Sequence, residues 1–203
     1  MKKRIVTVAF IAAMMCIPGN AFAKTDTIKF RGLEWGASLE EVMEKQLEGK
    51  TEDVDYGFAD ESNSLLVVNE TVNGLDAIIS YEFTEDWKLC GGMYLLQEEH
   101  VNDNKYYEDF CTLEEKISSK YGEPDISSDK WSDDLYKDDP DDIGMALGAE
   151  HLTLYRAWIA EDGSNIIMQC YGKKFKISTN IFYTPSEDLN LEPYSSKDTT
   201  DEF

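Results

Sequence analysis

The chain has 203 residues, of which 41 are acidic and 19 are basic, and its net charge is -22. A surface of this charge repels phosphate backbones and anionic lipids, so we expect no nucleic-acid partner and no role at a membrane surface. The length is sufficient for one domain with a substantial hydrophobic core.

The first 23 residues have the pattern of a secretory signal peptide. Residues 2–4 are basic, the apolar run 5–17 follows them, and Ala21-Phe22-Ala23 fits a small-x-small cleavage site. The apolar run is too short to span a bilayer comfortably. We therefore expect cleavage after Ala23, a secreted or periplasmic mature chain, and no membrane insertion after cleavage.

A short alternating segment and a capped helix come next. Residues 27–31 alternate polar and apolar side chains, which predicts a half-buried strand that Gly32 ends. Ser38 and Glu41 have the S-x-x-E spacing of a capping box, which predicts a helix start. Trp35 lies just before this cap and is expected to fold onto the apolar face of the helix. That face consists of Leu39, Val42, Met43 and Leu47.

The next part of the chain predicts an antiparallel meander. Its three strands are expected at 64–72, 75–84 and 87–97. Asn73-Gly74 is the preferred pair for a two-residue type I′ turn, so Val72 should face Leu75. Gly91-Gly92 interrupts the third strand, where we expect a bulge or close packing. The acidic region 51–63 lacks periodicity and is interpreted mainly as loop.

A second helix and a second meander follow. Apolar residues recur every three or four positions between Tyr106 and Tyr121, which predicts an amphipathic helix that Gly122 ends. Asp139 and Pro140 suit the cap and first position of a short helix, while 125–138 is interpreted as irregular. Three further strands are expected at 152–160, 166–171 and 175–183.

These elements together predict an α+β fold with the helices packed on one face of an antiparallel sheet. The single domain is expected to cover residues 24–184, in two halves at 27–98 and 102–184. Each half has a helix followed by a three-strand meander. Residues 185–203 are polar, acidic and aperiodic, which indicates a disordered tail.

The order helix then meander, found twice, resembles the β-lactamase-inhibitor-protein fold, which also includes small outer-membrane-assembly lipoproteins of the SmpA/OmlA type. Gly36 before the capped helix and Tyr121-Gly122-Glu123-Pro124 after the next one are similar to the ends of such modules. In residues 30–42 and in the Tyr-Gly-x-Pro sequence, the chain also resembles many uncharacterised secreted bacterial proteins. The resemblance implies this fold over residues 27–184 at the level of element order. The missing lipobox cysteine disfavours the outer-membrane lipoprotein role, and three cysteines cannot form the two disulfides usual in the inhibitor. No inhibitory loop matches residue by residue, so no binding residue is carried over.

Cysteines and acidic residues are the candidate groups for bridges and metals. After cleavage, an oxidising compartment permits one disulfide among Cys90, Cys111 and Cys170, and the spacing leaves the pair open. No CxxC or HExxH pattern occurs, and we predict no cofactor and no catalytic residue. An acidic cluster is a weak calcium candidate, although it lacks the EF-hand spacing. Its members are Asp133, Asp134, Asp138, Asp139, Asp141 and Asp142.

Aromatic residues in the predicted strands are the candidates for a binding surface. They are Tyr94, Tyr155, Trp158 and Phe182. A sheet that helices cover on one face leaves its other face free for a partner. The leading hypothesis is therefore a non-catalytic binding module for a protein or peptide. The alternatives are a cell-envelope hydrolase that uses two suitably spaced carboxylates and a calcium-stabilised structural protein.

Overall fold

The computed structural model describes residues 25–47, 56–58 and 65–194. Within these residues the fold is α+β, as predicted, with helices packed against an antiparallel sheet. The helices are α1 (Leu39–Leu47), α2 (Asn104–Tyr121) and α3 (Ile143–Gly148). The strands are β1 (Tyr56–Phe58), β2 (Leu65–Val72), β3 (Leu75–Phe83), β4 (Leu89–Leu96), β5 (Ile126–Trp131), β6 (Leu152–Ile159), β7 (Asn165–Lys173) and β8 (Lys176–Thr184).

The strands form one sheet in the order β1-β2-β3-β4-β8-β7-β6-β5. Two meanders therefore meet where β4 pairs with β8. This seam is short, because it runs only from the pair Gly92↔Tyr183 to the pair Leu95↔Asn180. Whether the two parts of the chain are related halves stays a prediction.

The first hairpin has the predicted register. Val72 pairs with Leu75 across the turn, and Asn73 and Gly74 have φ angles of 58° and 86°. These positive values are those of a type I′ turn, which matches the right-handed twist of the strands. The bulge expected at the start of β4 is also present, since Glu82 pairs with Gly91 but Phe83 pairs with Leu89.

The capping box of α1 is confirmed. The Ser38 backbone N–H donates to Glu41 Oε2 at 2.7 Å, and the Glu41 N–H donates to Ser38 Oγ at 3.3 Å. Trp35 packs against the core beneath α1, and its indole N–H donates to the carbonyl of Ile28 at 2.7 Å. Trp35, Ser38 and Glu41 thus hold the chain before α1 in place, as predicted.

Residues 27–31 do not form a strand, so that prediction is wrong. Ile28 is buried, and its N–H donates to Ser164 Oγ at 2.8 Å. The Glu161 N–H donates to the Thr25 carbonyl at 3.0 Å. The apolar alternation arises because this segment lies on the core, with hydrogen-bond partners in the β6–β7 loop instead of a neighbouring strand.

Two strands lie in regions interpreted as irregular or loop. The strand β5 is exposed at every position except Trp131, because it is an edge strand with little packed against it. It therefore has no apolar alternation that a sequence pattern could reveal. The strand β1 has three residues and pairs with β2 at the other edge.

The chain after β8 is ordered at first, which differs from the predicted disordered tail. We call residues 185–194 the C-terminal segment. Ser186 is buried and caps the 3-10 helix Glu187–Leu189. The Tyr194 N–H donates to the Phe83 carbonyl at 3.1 Å, which fixes the segment to the end of β3. Residues 195–203 lie outside the described residues.

The hydrophobic core lies between the helices and one face of the sheet, which we call the covered face. One cluster packs beneath α2 and α3 and includes Phe110 and Trp158. The other packs beneath α1 and includes Val42 and Tyr81. Phe30 lies at the junction, with its ring centroid 5.2 Å from that of Tyr94.

The seam between β4 and β8 depends on a glycine. A Cβ atom at Gly92 would lie 2.2 Å from the ring of Phe30, so a larger residue would displace that ring. Phe30 also contacts Tyr183 across the seam, with ring centroids 5.1 Å apart. We call residues 25–38 the N-terminal segment. Its Phe30 ring thus contacts residues on both sides of the seam.

Candidate functional site

The face of the sheet opposite the helices, which we call the open face, is the candidate site. Residues that pair directly across antiparallel strands share a face, so the registers show which side chains line it. A row of apolar and small residues crosses the open face from β2 to β5. Its members are Val67, Ser80, Met93, Phe182, Ile167, Ala157 and Ile126. With about 4.8 Å between strands, the row is roughly 29 Å long.

A second row runs beside the first. Its members are Asn69, Ile78, Leu95, Asn180, Gln169, Tyr155 and Ser128. Neither row contains a charged residue, although 30% of the residues in the chain are charged. Depletion of charge at the centre of a surface patch is a feature of protein–protein interfaces.

The large apolar side chains of the first row are partly accessible to solvent. Val67, Met93, Phe182 and Ile167 are half-buried, and Ile126 is 46% exposed. Among the described residues, α1, α2 and α3 pack on the other side of the strands, and the C-terminal residues 185–194 lie against one end of this face. The open face therefore offers apolar surface that the core does not use.

The C-terminal segment forms a wall at one end of the open face. Between this segment and β3, β4 and β8 lies a cleft of about 680 Å³. Ser80, Met93 and Phe182 line the cleft, so the apolar row continues into it. The volume is in the range of pockets that hold small ligands or a few side chains.

Burial raises the pKa of two ionisable groups in this cleft. Burial raises the pKa of the Glu82 carboxyl above its ordinary value. Burial and the nearby Glu82 raise the pKa of the Cys90 thiol to about 12. Because the thiolate is the nucleophile, Cys90 is not an activated nucleophile. The cleft is chemically suited to binding apolar and hydrogen-bonding groups.

The four predicted aromatic residues divide between the two faces. Tyr155 and Phe182 lie on the open face, in adjacent rows. Trp158 and Tyr94 lie on the covered face, so they are removed from the binding-face candidates. Trp158 is 1% exposed, and its indole N–H donates to the Gly122 carbonyl at 2.9 Å. The strand period of two already separates Tyr155 from Trp158, which is three residues further along.

Sequence reasoning missed most of the apolar row. Val67, Met93 and Ile167 are ordinary strand residues, and nothing in their local pattern marks the open face. Because Trp158 lies beneath α2, every second residue of β6 counted from Trp158 faces the helices. The residues between them, such as Tyr155, therefore face the open side. Across strands the assignment requires the register, which the sequence does not give.

The acidic cluster does not form a metal site in the part of the chain that is described. Asp139 caps the following turn by accepting from the Asp141 N–H at 2.9 Å, and Asp134 pairs with Lys137 at 2.9 Å. Asp133 accepts from the Leu135 N–H at 2.8 Å. Among the described residues, no three His, Cys, Asp or Glu side chains could hold a metal ion together.

All three cysteines of the described chain are free thiols, so the possible disulfide is not seen. Cys90 lies at the bulge of β4 beside Glu82, whereas Cys170 lies on the covered face. Cys111 is on α2 and is half-buried. The sheet separates Cys90 from the other two thiols.

Comparisons with known proteins find no matching family model, no similar curated protein and no similar solved structure. The resemblance to the β-lactamase-inhibitor-protein fold therefore stays a prediction. None of the helices in the described part of the chain is long and apolar enough to cross a membrane.

Proposed function

We propose that the protein is a non-catalytic binding module that holds an apolar segment of a partner polypeptide on its open face. The observation that carries this proposal is the pair of charge-free rows across the sheet, in a chain that is otherwise rich in charge. A partner with apolar side chains would bury Phe182, Ile167 and Met93. Interfaces of this kind depend on a few central apolar or aromatic residues surrounded by a polar rim.

The difference in burial between the two faces supports the proposal. The core on the covered face contains the fully buried side chains, including Trp158, Leu154 and Ile166. The apolar row on the open face is therefore not required to form the core. Large partly exposed apolar patches on soluble proteins mark interaction sites.

The proposal includes an extracytoplasmic location, which depends on the signal-peptide pattern of residues 1–23. Those residues lie outside the described part of the chain. An exported partner-binding module needs no cofactor, and the cleft beside the C-terminal segment gives the partner a defined end point on the sheet.

A hydrolase is the second candidate, and one observation favours it. Glu82 is a carboxyl of raised pKa in a cleft, which is the environment of a general acid. Hydrolysis by paired carboxylates also requires a second group at a defined distance. Glu187 and Glu192 of the C-terminal segment line the same cleft and are the groups to test with Glu82.

The binding proposal can be tested with defined peptides. Random peptides of about 12 residues are displayed on phage and selected on the purified chain. The affinity of a selected synthetic peptide is then measured by titration calorimetry. We expect peptides rich in apolar residues, and at least tenfold weaker binding to the Phe182→Ser variant, because this change removes the centre of the row.

Phe175→Ser is the matched control, because Phe175 is 72% exposed at the β7–β8 turn, outside the rows. Its affinity for the peptide should equal that of the wild type. Failure to select any saturable peptide, or equal affinities for Phe182→Ser and the wild type, would overturn the proposal. A stable dimer that Phe182→Ser dissociates would also overturn it, because a second copy would then cover the face.

A further inference from the structure

A second cleft lies on the helix side of the sheet, away from the open face. It is bounded by α2, by the N-terminal segment and by the turn between β2 and β3, and its volume is about 460 Å³. We call it the basic cleft, because its charged lining residues are Lys29, Arg31, Lys116 and Lys120. Among the described residues, no acidic side chain lines it, although acidic residues outnumber basic ones by 41 to 19 in the chain.

The four basic residues differ in how far they are neutralised. Lys29 forms an ion pair with Glu34, and Arg31 forms one with Glu70 at 2.9 Å. Lys116 and Lys120 are exposed on α2 and form no ion pair among residues 25–47, 56–58 and 65–194. The Lys120 ammonium lies 4.6 Å from the ring centroid of Tyr121. The excess positive charge of the basic cleft therefore lies along the edge formed by α2.

The floor of the basic cleft is apolar and aromatic. Its apolar members are Leu96, Leu113, Ile117 and Ile181. Tyr94 and Tyr183 lie beside them, with ring centroids 5.9 Å apart. Burial raises the pKa of both phenols, and Tyr94 also forms a side-chain hydrogen bond with Arg31. The cleft thus combines apolar and aromatic surface with cationic side chains.

The position of Arg31 depends on an uncommon backbone conformation. Arg31 has a φ of 52° and precedes Gly32 in a turn closed by the Leu33 N–H, which donates to the Phe30 carbonyl at 3.0 Å. Residues other than glycine rarely adopt positive φ. Such conformations persist where the surrounding structure imposes them, and they are frequent at ligand sites. Here the turn brings Arg31 to the cleft while Phe30 enters the core.

We propose that the basic cleft binds a small amphipathic organic anion. A carboxylate or phosphate head would lie near Lys116 and Lys120, and an apolar body would lie on the floor of leucine and isoleucine side chains. The volume fits a small molecule, and a mainly apolar site with a few placed polar groups is typical of ligand pockets. This site is separate from the open face and does not depend on the function proposed for that face.

The test uses three probes that share one alkyl chain: octanoate, octyl phosphate and octanamide. Binding to the wild-type chain is measured by titration calorimetry and by amide shifts in two-dimensional NMR spectra. We expect saturable binding of at least one anion, with shifts near Tyr94 and Ile117, and at least tenfold weaker binding of the neutral amide. The tighter of the two anions identifies the head group. Acetate should bind at least tenfold more weakly than octanoate if the apolar floor contributes.

The double variant Lys116→Glu/Lys120→Glu should bind the preferred anion at least tenfold more weakly. Its matched control is Lys130→Glu/Lys176→Glu, which changes the net charge equally at exposed positions outside the cleft. If charge reversal disturbs folding, as shown by circular dichroism, Lys116→Gln/Lys120→Gln gives the same test. Three results would overturn the proposal: no saturable binding of either anion, equal binding of octanamide, or equal losses in the cleft variant and the control.

Discussion

The two faces of the sheet use the same strands for different purposes. On β6, Trp158 is 1% exposed beneath α2, whereas Tyr155, three residues earlier, is half-buried on the open face. The covered face holds the fully buried side chains of both core clusters. The open face has apolar side chains at intermediate exposure, with no charge in its two central rows. The contrast indicates that stability resides mainly on the covered face and leaves the open face for the recognition proposed above.

The largest expected effect is a difference in the free energy of unfolding between a variant on the covered face and a variant on the open face. Trp158→Ala should lower the free energy of unfolding by about 3–5 kcal/mol, because it removes a large buried side chain and leaves a cavity. Tyr155→Ala should lower it by less than about 1 kcal/mol, as is usual for positions outside the core. Urea denaturation of both variants measures the difference. Similar losses in the two variants would show that the open face also contributes substantially to stability.

An intermediate effect is expected at the end of the open face, where burial raises the pKa of Glu82. A carboxyl whose pKa is higher in the folded state binds more protons there. Its contribution to stability is therefore lost as pH rises from the ordinary pKa of glutamate, about 4.3, through the folded value. Glu82→Gln removes this loss, so the variant should be more stable than the wild type at neutral pH.

Below about pH 4 the difference between Glu82→Gln and the wild type should disappear, because both side chains are then neutral. The comparison is made by urea denaturation across the pH range. Glu123→Gln, at an exposed position after α2, serves as the control and should leave the pH dependence of stability unchanged. A neutral-pH stability of Glu82→Gln equal to that of the wild type would contradict the burial of this carboxylate.

The smallest expected effect is the order in which a reagent modifies the three thiols, which is measured by reactivity and not by stability. Burial raises the pKa of Cys90 to about 12 and that of Cys170 to about 11, and Cys111 on α2 is the most accessible of the three. In the reduced native protein at about pH 8, a thiol reagent should therefore modify Cys111 first. Mass spectrometry of the modified peptides identifies the order. Rapid modification of Cys90 would show that the cleft beside the C-terminal segment opens in solution.

The parts of the fold that sequence could predict are those fixed by local signals. The Asn73-Gly74 turn sets the first hairpin, and Ser38 with Glu41 starts α1. The helix α2 follows from apolar periodicity that ends at Gly122. In each case the residues that carry the signal lie within a few positions of the structure they determine.

The remaining features depend on contacts between distant residues. The pairing of β4 with β8 joins segments about 90 residues apart, and only this pairing shows that Met93 and Phe182 belong to one row. The exposed strand β5 has no apolar pattern to recognise. The basic cleft brings Arg31 beside α2, and no local motif connects those two parts of the chain.

The hydrogen bond from the Ile28 N–H to Ser164 Oγ has a consequence for the order of events during folding. The two residues are 136 positions apart, so this bond cannot form until the β6–β7 loop has been synthesised. The contact between Phe30 and Tyr183 must also wait for β8, whereas the contacts of Phe30 with Tyr81 and Tyr94 can form earlier. Contacts of such long sequence separation slow folding, because the chain must lose loop entropy before the contact forms. The beginning of the domain therefore completes its contacts only after most of the domain has been synthesised.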